Sequence, residues 1–449
     1  NDDINEFGQI DYTMTNKVPE ALRKAIKEGK KILVLINPPY AEATNADNIS
    51  KGDEAENKSG VAKTKFAAAA MTQYGKASNE LFTQFVARIA QEMPNATLAM
   101  FSTLKYVNAP NFEEFRQNWN AKFLDGFIVH SKAFEGLKGE FPIGFLVWQI
   151  EQNAEQKTPI TEIVTEVLNK DAKPIGEKRF YNLPKTTYLN VWINRPRTNS
   201  SAVIPLKNSI TPTTGKAWVK TWSDGALAYM YCGVNDIQHA IQQTVVFSSV
   251  YSGGHGFYIT PENLWQAAIV FSVRRLIKPT WINDRDQFLQ PAQPLSDEFK
   301  NDCLMWMLFN GSNLSASAND LEWNGKKWSI VNHFIPFIEA EVGAPDRFES
   351  DFMVQYMQGK NFSAEALAVL DAGRDLWHAY FAKSDVFAIR DELKLNRPDV
   401  GWYQIRNALK KRNEAGDDAP IDFKPFEAAY KALTEKLVPQ VYALGFLKE

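Results

Sequence analysis

Asn37, Pro38, Pro39 and Tyr40 directly follow the five aliphatic residues 32–36. An unbroken aliphatic run of this length predicts a strand buried on both faces, as in a parallel sheet with helices above and below. Neither proline has an N–H to donate, so strand pairing must stop here and the chain leaves at a fixed angle. Ligands of open α/β sheets bind at the carboxyl ends of strands. Two interpretations are open at this point: a rigid exit from the sheet, or a ligand site.

Cysteines and histidines form no pattern typical of a metal site. The two cysteines, Cys232 and Cys303, are far apart, and the five histidines are scattered without an HxxxH spacing. We expect no bound metal, no disulfide framework and a reducing, cytoplasmic location. The sequence contains neither a membrane-spanning apolar run nor a signal peptide. A net charge of -3 argues against an indiscriminate nucleic-acid binder, although a local basic cleft stays compatible with it.

The elements around the candidate site alternate between helices and strands. Helical periodicity begins near Pro19 and ends at Gly29, and a second amphipathic helix has Ser78 as its expected N-cap. Predicted strands are 32–36, 96–101, 126–130 and 139–150, and predicted helices are 17–29, 78–93 and 112–123. This order predicts half of a doubly wound α/β sheet that ends in a hairpin at its edge.

The pattern changes after Gln152. Further strands are predicted at 160–168, 178–183 and 187–196, and a glycine-rich turn, strand and helix at 252–277. From about residue 296 the chain is predicted to be mainly helical, with long amphipathic helices at 364–382, 402–413 and 424–443. We therefore predict three regions, 1–152, 153–295 and 296–449.

NPPY and the elements after it resemble the adenine-N6-specific DNA methyltransferases of NPPY type. In that family the motif closes the fourth strand of a Rossmann-like sheet. The family then has an aromatic-striped helix, a strand that ends in a small polar residue, an Arg-bearing helix and two further strands. The matching segments are ELFTQFVARI, LAMFSTLKYVNAPNFEEFRQNW, DGFIVHSKAF and IGFLVWQI. The resemblance implies that residues 1–152 are the C-terminal part of a methyltransferase catalytic domain. The implied fold is α/β: a partial Rossmann-like sheet, a mixed α/β target-recognition region and a mainly helical C-terminal region.

This resemblance implies a mechanism for methylating adenine in DNA, with S-adenosylmethionine as the methyl donor. The exocyclic amine is a poor nucleophile because its lone pair is delocalised into the ring. The Asn37 side-chain oxygen and the Pro38 carbonyl would accept its two N–H groups, and Pro39 would hold that carbonyl in a fixed direction. The base must be flipped out of the duplex, and Tyr40 would stack on it, a contact of about 1–3 kcal/mol.

Several parts of the family pattern are missing from this sequence. The glycine-rich cofactor turn and the acidic residue that holds the donor ribose should lie upstream of NPPY, and neither is present. Asp2, Asp3 and Phe82 are the cofactor-binding candidates, although a solvated aspartate pair and a core aromatic are the alternatives. The chain starts without methionine, so we expect a fragment of a longer protein. A cofactor-binding segment, or a nuclease, would then lie upstream, and this chain alone would be inactive.

Double-stranded DNA is the expected partner, read by the residues after 152. Arg274, Arg275, Lys278 and Arg285 are the predicted phosphate contacts, and Lys410–Arg412 form a second basic cluster, for which a solvated helix face is the alternative. Aromatic residues that could fill the gap left by a flipped base are Trp222, Tyr251 and Trp281, for each of which core packing is the alternative.

Three hypotheses follow for the whole protein. The first is an adenine-specific DNA methyltransferase of a restriction-modification or phage-defence system. The second is a methyltransferase with the same chemistry that acts on RNA or on a protein glutamine, because NPPY also occurs in methyltransferases with those substrates. The third is a non-catalytic DNA-binding specificity component. The nearly 300 residues after the candidate catalytic region favour a target-reading domain and hence DNA.

Overall fold

The computed structural model describes residues 5, 7, 19–39, 64–135, 137, 139–157, 159–200, 202–232, 244–278, 280–282, 287–382, 389–416 and 420–448. They form two compact units. The first includes the described residues within Asn1–Lys185 and Thr280–Ile282, and the second those within Thr186–Asn235, Ile241–Pro279 and Asn283–Glu449. Strands on both sides of residue 152 share one sheet, so the units divide later than the boundary predicted there. The three predicted regions stay a prediction about function.

One mixed sheet organises the described part of the first unit. Its six strands are β1 (Leu33–Ile36), β2 (Thr97–Thr103), β3 (Ala121–His130), β4 (Pro142–Ile150), β5 (Glu162–Leu168) and β6 (Pro174–Tyr181). Their order across the sheet is β1-β2-β4-β3-β5-β6. The pairs β1–β2 and β3–β5 are parallel, and the other pairs are antiparallel. The predicted α/β class, with a mainly helical C-terminal region, is confirmed, and the sheet itself is mixed.

Helices cover one face of this sheet and form the core of the first unit with it. Helix α1 (Glu20–Lys27), which precedes β1, has no buried residue. The covering helices are α2 (Lys65–Ala70), α3 (Leu81–Glu92), α4 (Lys105–Asn108) and α5 (Glu113–Asn118), with 3-10 helices at Thr72–Asn79, Pro110–Phe112 and Ser131–Ala133. Leu98, Leu146 and Trp148 of the strands pack in one cluster with Phe82 and Val86 of α3. Each such large side chain contributes about 1.5–3 kcal/mol when it is removed from water.

The first strand is exposed on one face, contrary to the prediction from its sequence. Val34 and Ile36 pack against the core, but Leu33 and Leu35 are 69% and 70% exposed. Alternate side chains of a strand point to opposite faces, and within the described residues β1 is an edge strand with no helix packed on its second face. Composition alone could not distinguish a strand covered on both faces from this arrangement.

The hairpin of β3 and β4 does not lie at the edge of the sheet as predicted. β4 is inserted between β2 and β3, with Leu98 opposite Trp148 and Phe127 opposite Phe145. Most of its residues are buried and all but one are apolar or glycine, which is typical of an inner strand. Because β2 and β3 both run antiparallel to β4, their carboxyl ends face the same edge of the sheet.

The second unit contains a three-stranded sheet, a hairpin and most of the helices among the described residues. Its strands are β7 (Ala228–Cys232), β8 (Thr244–Phe247), β9 (Gly256–Ile259), β10 (Ala318–Trp323) and β11 (Lys326–Ile330). Its helices are α6 (Leu189–Trp192), α7 (Leu264–Leu276), α8 (Asp297–Leu308), α9 (Glu339–Val342), α10 (Phe352–Met357), α11 (Ala364–Ala382), α12 (Arg390–Leu393), α13 (Trp402–Glu414) and α14 (Lys424–Ala443).

Two segments of this unit differ from the sequence prediction. The strand predicted at 187–196 contains the short helix α6 instead. The hairpin of β10 and β11 was not predicted, although its signal is in the sequence. Asn324 and Gly325 connect the two strands with φ of 54° and 69°, and Asn-Gly is the preferred pair for a two-residue turn with positive φ at both positions.

Candidate functional site

The Asn37–Pro39 segment lies where β1 leaves the sheet. Ile36 pairs with Met100, whereas β2 continues to Thr103. Asn37 and Pro39 are exposed and Pro38 is buried, so the first proline anchors the turn. β1 and β2 are parallel, so this turn lies at the carboxyl edge of the sheet, where ligands bind in open α/β folds. Tyr40, the last residue of the predicted site, lies outside the described residues.

Thr103 ends β2 beside this turn and belongs to the same edge. Neighbouring strands are about 5 Å apart, so the end of β2 is within side-chain reach of the segment that follows β1. Thr103 is 4% exposed, and within the described part of the chain its hydroxyl has no hydrogen-bond partner. A small polar residue at the end of this strand was expected from the sequence, but its burial without a partner was not.

His130 ends β3 at the same edge, and Trp281 packs on it. The two ring centroids are 4.9 Å apart. Partial burial lowers the pKa of His130, against the opposing effect of Glu140. β3 is three strand positions from β1, or about 14 Å, so His130 cannot act on the same atom as Asn37. Of the three aromatics predicted to fill the gap of a flipped base, Trp281 is the one that shares the unit of Asn37.

Phe82 is enclosed in the core of the first unit. It is 1% exposed, and its ring contacts Tyr106 and Phe112 at centroid distances of 5.9 Å and 6.0 Å. These contacts are those of a core residue and do not support the cofactor-binding role predicted for it. Asp2 and Asp3, the other two predicted cofactor contacts, lie outside the described residues.

Of the described residues in the predicted basic cluster of the second unit, Arg274 is the buried one. Arg274 is 4% exposed, and its Nε donates a hydrogen bond to Thr244 Oγ1 at 3.0 Å. Burial lowers the pKa of its guanidinium. This burial and this hydrogen bond do not support the phosphate contact predicted for Arg274. Arg275 is half-buried and Lys278 is exposed, whereas Arg285 lies outside the described residues.

Lys410, Lys411 and Arg412 are adjacent in sequence but lie on different sides of α13. The Lys410 ammonium lies 5.7 Å from the centre of the Phe423 ring. Lys411 forms an ion pair with Glu392, and Arg412 is 8% exposed. Of these three residues, Lys410 therefore stays available for the phosphate contact predicted for the run.

Two predicted basic residues from distant parts of the sequence, Lys410 and Arg275, both lie near Tyr430. Lys410 lines a pocket of about 360 Å³ together with Arg406, Phe423 and Tyr430. Arg275, on α7, is close enough to the Tyr430 phenol for its charge to act on it. Arg406 was not identified from the sequence.

The other two aromatics predicted to fill a base gap pack within the second unit. The Trp222 ring makes an edge contact with Tyr258 at 5.5 Å, and Tyr251 stacks on Phe247 at the same distance. Both belong to one aromatic cluster, which favours core packing over a role in base flipping.

The described residues were compared with the requirements of a metal-binding cluster and of a membrane-spanning helix. Among them, no group of three or more His, Cys, Asp and Glu side chains is arranged to hold a metal ion. None of their helices combines the length and the apolar character needed to cross a membrane.

Comparisons with known proteins return weak structural similarity and no sequence family. No family model matches the chain, and no curated protein matches it significantly. The chain is similar to the ATP-dependent Type ISP restriction-modification enzyme LlaBIII bound to DNA, with 10% identity and a TM-score of 0.27. It is also similar to DrdV in its complex with DNA, with 11% identity and a TM-score of 0.23.

Both similarities are partial. The first covers 50% of this chain and 16% of the LlaBIII chain, and the second covers 49% of this chain and 24% of the DrdV chain. At this level of similarity neither enzyme defines the function of this chain, which has to follow from its own residues.

Proposed function

We propose that this chain belongs to an S-adenosylmethionine-dependent enzyme that methylates the exocyclic amine of adenine in DNA, in a restriction-modification or phage-defence system. The observation that carries the proposal is the placement of Asn37–Pro39. The segment leaves the sheet at the carboxyl end of β1, beside the parallel strand β2, with Asn37 exposed and Pro38 buried.

This placement suits the two acceptors that an amine substrate needs. The amide oxygen of the exposed residue Asn37 would be one acceptor, and the Pro38 carbonyl would be the second acceptor next to it. Pro39 restricts the rotation of the backbone at that carbonyl, because a residue before proline is limited to extended conformations. Acceptors fixed before the substrate arrives need no reorganisation during the reaction, which is how electrostatic preorganisation accelerates a step. The adenine would enter this edge as a flipped nucleotide.

The methyl donor has no site among the predicted cofactor residues that the structure describes. Phe82 is in the core, and Asp2 and Asp3 are outside the described residues. S-adenosylmethionine would supply the methyl group, held by parts of the protein other than Phe82. The roles assigned to Asn37, Pro38 and Pro39 concern the substrate amine alone.

The proposal is tested by transfer of labelled methyl from S-adenosylmethionine to unmethylated DNA, using the full-length protein that contains this sequence. Asn37→Ala should abolish transfer because it removes the side-chain acceptor. Asn37→Asp keeps an acceptor oxygen and should retain measurable transfer. Asn111→Ala, at an exposed asparagine of the same unit, is the matched control and should behave as wild type.

Three results would contradict the proposal in different ways. Normal transfer by a folded Asn37→Ala variant would remove the catalytic role of this segment. Label on ribosomal RNA or on a release-factor glutamine, and not on DNA, would keep the segment but change the substrate. Absence of label on any polymer, with a folded full-length protein, would favour a non-catalytic DNA-binding component.

A further inference from the structure

The pocket between α13 and α14 in the second unit has more cationic than acidic side chains in its lining. Its lining includes the cations Arg406, Lys410 and Lys431 and a single carboxylate, Glu427, which is exposed. Arg275 adds a further cation on the side of Tyr430. Lys431 is partly engaged by an exposed pair with Glu435 at 3.6 Å. The pocket as a whole is therefore strongly cationic in a chain whose net charge is -3.

Three of these cations have no acidic partner in the described part of the chain. No described carboxylate lies within ion-pair distance of Arg275, Arg406 or Lys410, and the Nε atom of Arg406 is buried without a hydrogen-bond partner there. Burial lowers the pKa of both arginines. A partly desolvated cation without a counter-charge is unfavourable, and proteins rarely keep one that has no ligand.

Tyr430 does not neutralise the two guanidinium groups. Its hydroxyl accepts a hydrogen bond from Asn310 Nδ2 at 2.7 Å and donates one to the Trp306 carbonyl at 3.1 Å. Burial raises the pKa of this phenol well above its ordinary value. The phenol is therefore neutral at physiological pH, and the counter-charge has to come from outside the described residues.

The geometry points to a nucleotide phosphate as the ligand of this pocket. Arginine forms paired hydrogen bonds with phosphate oxygens, and Lys410 adds a point charge one helical turn from Arg406. Phe423 lies at the same pocket, half-buried beneath the Lys410 ammonium, and offers a ring face to a base. A volume of about 360 Å³ lies within the usual range for small-ligand pockets. The phosphate belongs either to a free nucleotide or to a DNA strand.

Gly311 supplies the space that the Arg406 side chain occupies. A Cβ at this position would lie 2.6 Å from Arg406 Nη1. Gly311→Ala should therefore displace the flexible end of Arg406, and the pocket would lose its central donor without any change in charge. This variant therefore separates the effect of the guanidinium position on binding from the effect of the protein's net charge.

The test measures binding of adenosine monophosphate and of a labelled DNA duplex to the whole chain and to three variants. Arg406→Gln should weaken binding about tenfold or more, as loss of a charged hydrogen bond does, and Gly311→Ala should weaken it in the same direction. Lys411→Gln is the matched control: it removes the same charge from the same helix, but its ammonium pairs with Glu392, and binding should change less than twofold.

Each outcome identifies the source of the phosphate or overturns the proposal. Loss of monophosphate binding in Arg406→Gln with unchanged DNA affinity indicates a free nucleotide. Loss of DNA affinity alone, with a shallower salt dependence, indicates a backbone phosphate. The proposal would be overturned if Arg406→Gln bound both probes as tightly as wild type. It would also be overturned if Lys411→Gln lost as much affinity as Arg406→Gln. Arg406→Gln should not lower the melting temperature, because it removes an unbalanced charge; a lower value would indicate a structural role.

Methyl transfer plays no part in these measurements, so they succeed or fail independently of the proposed function.

Discussion

Asp399→Asn should destabilise the second unit more than any exposed charge substitution. Asp399 is fully buried, and its two carboxylate oxygens accept hydrogen bonds from Arg397 Nε at 2.8 Å and Nη2 at 3.2 Å. The pair lies just before α13, and the Asp399 carbonyl accepts a further bond from Ser317 Oγ at 2.7 Å. The segment thus anchors the start of the helix that carries Arg406 and Lys410.

The expected loss follows from what the substitution leaves behind. The introduced asparagine side chain would be neutral, so Arg397, only 7% exposed, would lose its fully buried counter-charge. Breaking a buried pair by removing one partner costs about 3–5 kcal/mol. Glu349 lies 3.5 Å from Arg397 Nη2 but is 63% exposed, so it compensates only in part. We therefore expect a loss near the lower end of this range, about 3 kcal/mol in the free energy of unfolding.

Urea unfolding measures this loss, and hydrogen exchange in α13 assigns it to the second unit. With a slope of about 2 kcal/mol per molar, the midpoint of that unit should fall by about 1.5 M urea. Asp371→Asn is the matched control. It breaks the pair with Arg374, in which Asp371 is 69% exposed, and such pairs contribute about 0.2–1 kcal/mol.

A loss in Asp399→Asn no larger than in Asp371→Asn would refute the reasoning, since the expected difference rests on the burial and the two hydrogen bonds of the Arg397–Asp399 pair. A double variant sharpens the test. Arg397→Met with Asp399→Leu removes both charges, and replacing a buried pair by apolar residues is often neutral. It should lose less than Asp399→Asn alone; a larger loss would mean that packing, rather than unbalanced charge, explains the effect.

Two further predictions concern the same unit. In Gly373→Ala the new Cβ would lie 2.2 Å from Phe309 Cε1, and crowding of about 1–3 kcal/mol should outweigh the helix-propensity gain of about 1 kcal/mol; a raised melting temperature would contradict this. Burial lowers the pKa of His333, so the native state binds fewer protons than the unfolded state. Stability should fall as pH drops below about 6.5, and His333→Gln should flatten that part of the pH profile; an unchanged slope would contradict the assignment.

The sequence predicts an element well where its signal is local. Residues 364–382 and 424–443 form helices with the predicted bounds, because their apolar residues repeat at helical spacing. The turn after β1 lies at a strand end because two prolines exclude further pairing. The position of β4 between β2 and β3 depends on partners far apart in the chain, and no local pattern encodes it. The exposed face of β1 is likewise not encoded locally, because an aliphatic run is compatible with a strand covered on one face or on both.

The candidate cations show that charged residues on a helix have to be compared at helical spacing and not by adjacency in the sequence. Residues adjacent on a helix point about 100° apart, so the run Lys410–Arg412 distributes its charges over three directions and only one reaches the pocket. Arg406 and Lys410, four residues apart, share a face, and this spacing was visible in the sequence. Arg274 follows the same logic. Its helix is apolar on nearly all sides, which predicts a buried element and hence a buried arginine. For an arginine on such a helix, the sequence therefore favours an internal hydrogen bond over a phosphate contact.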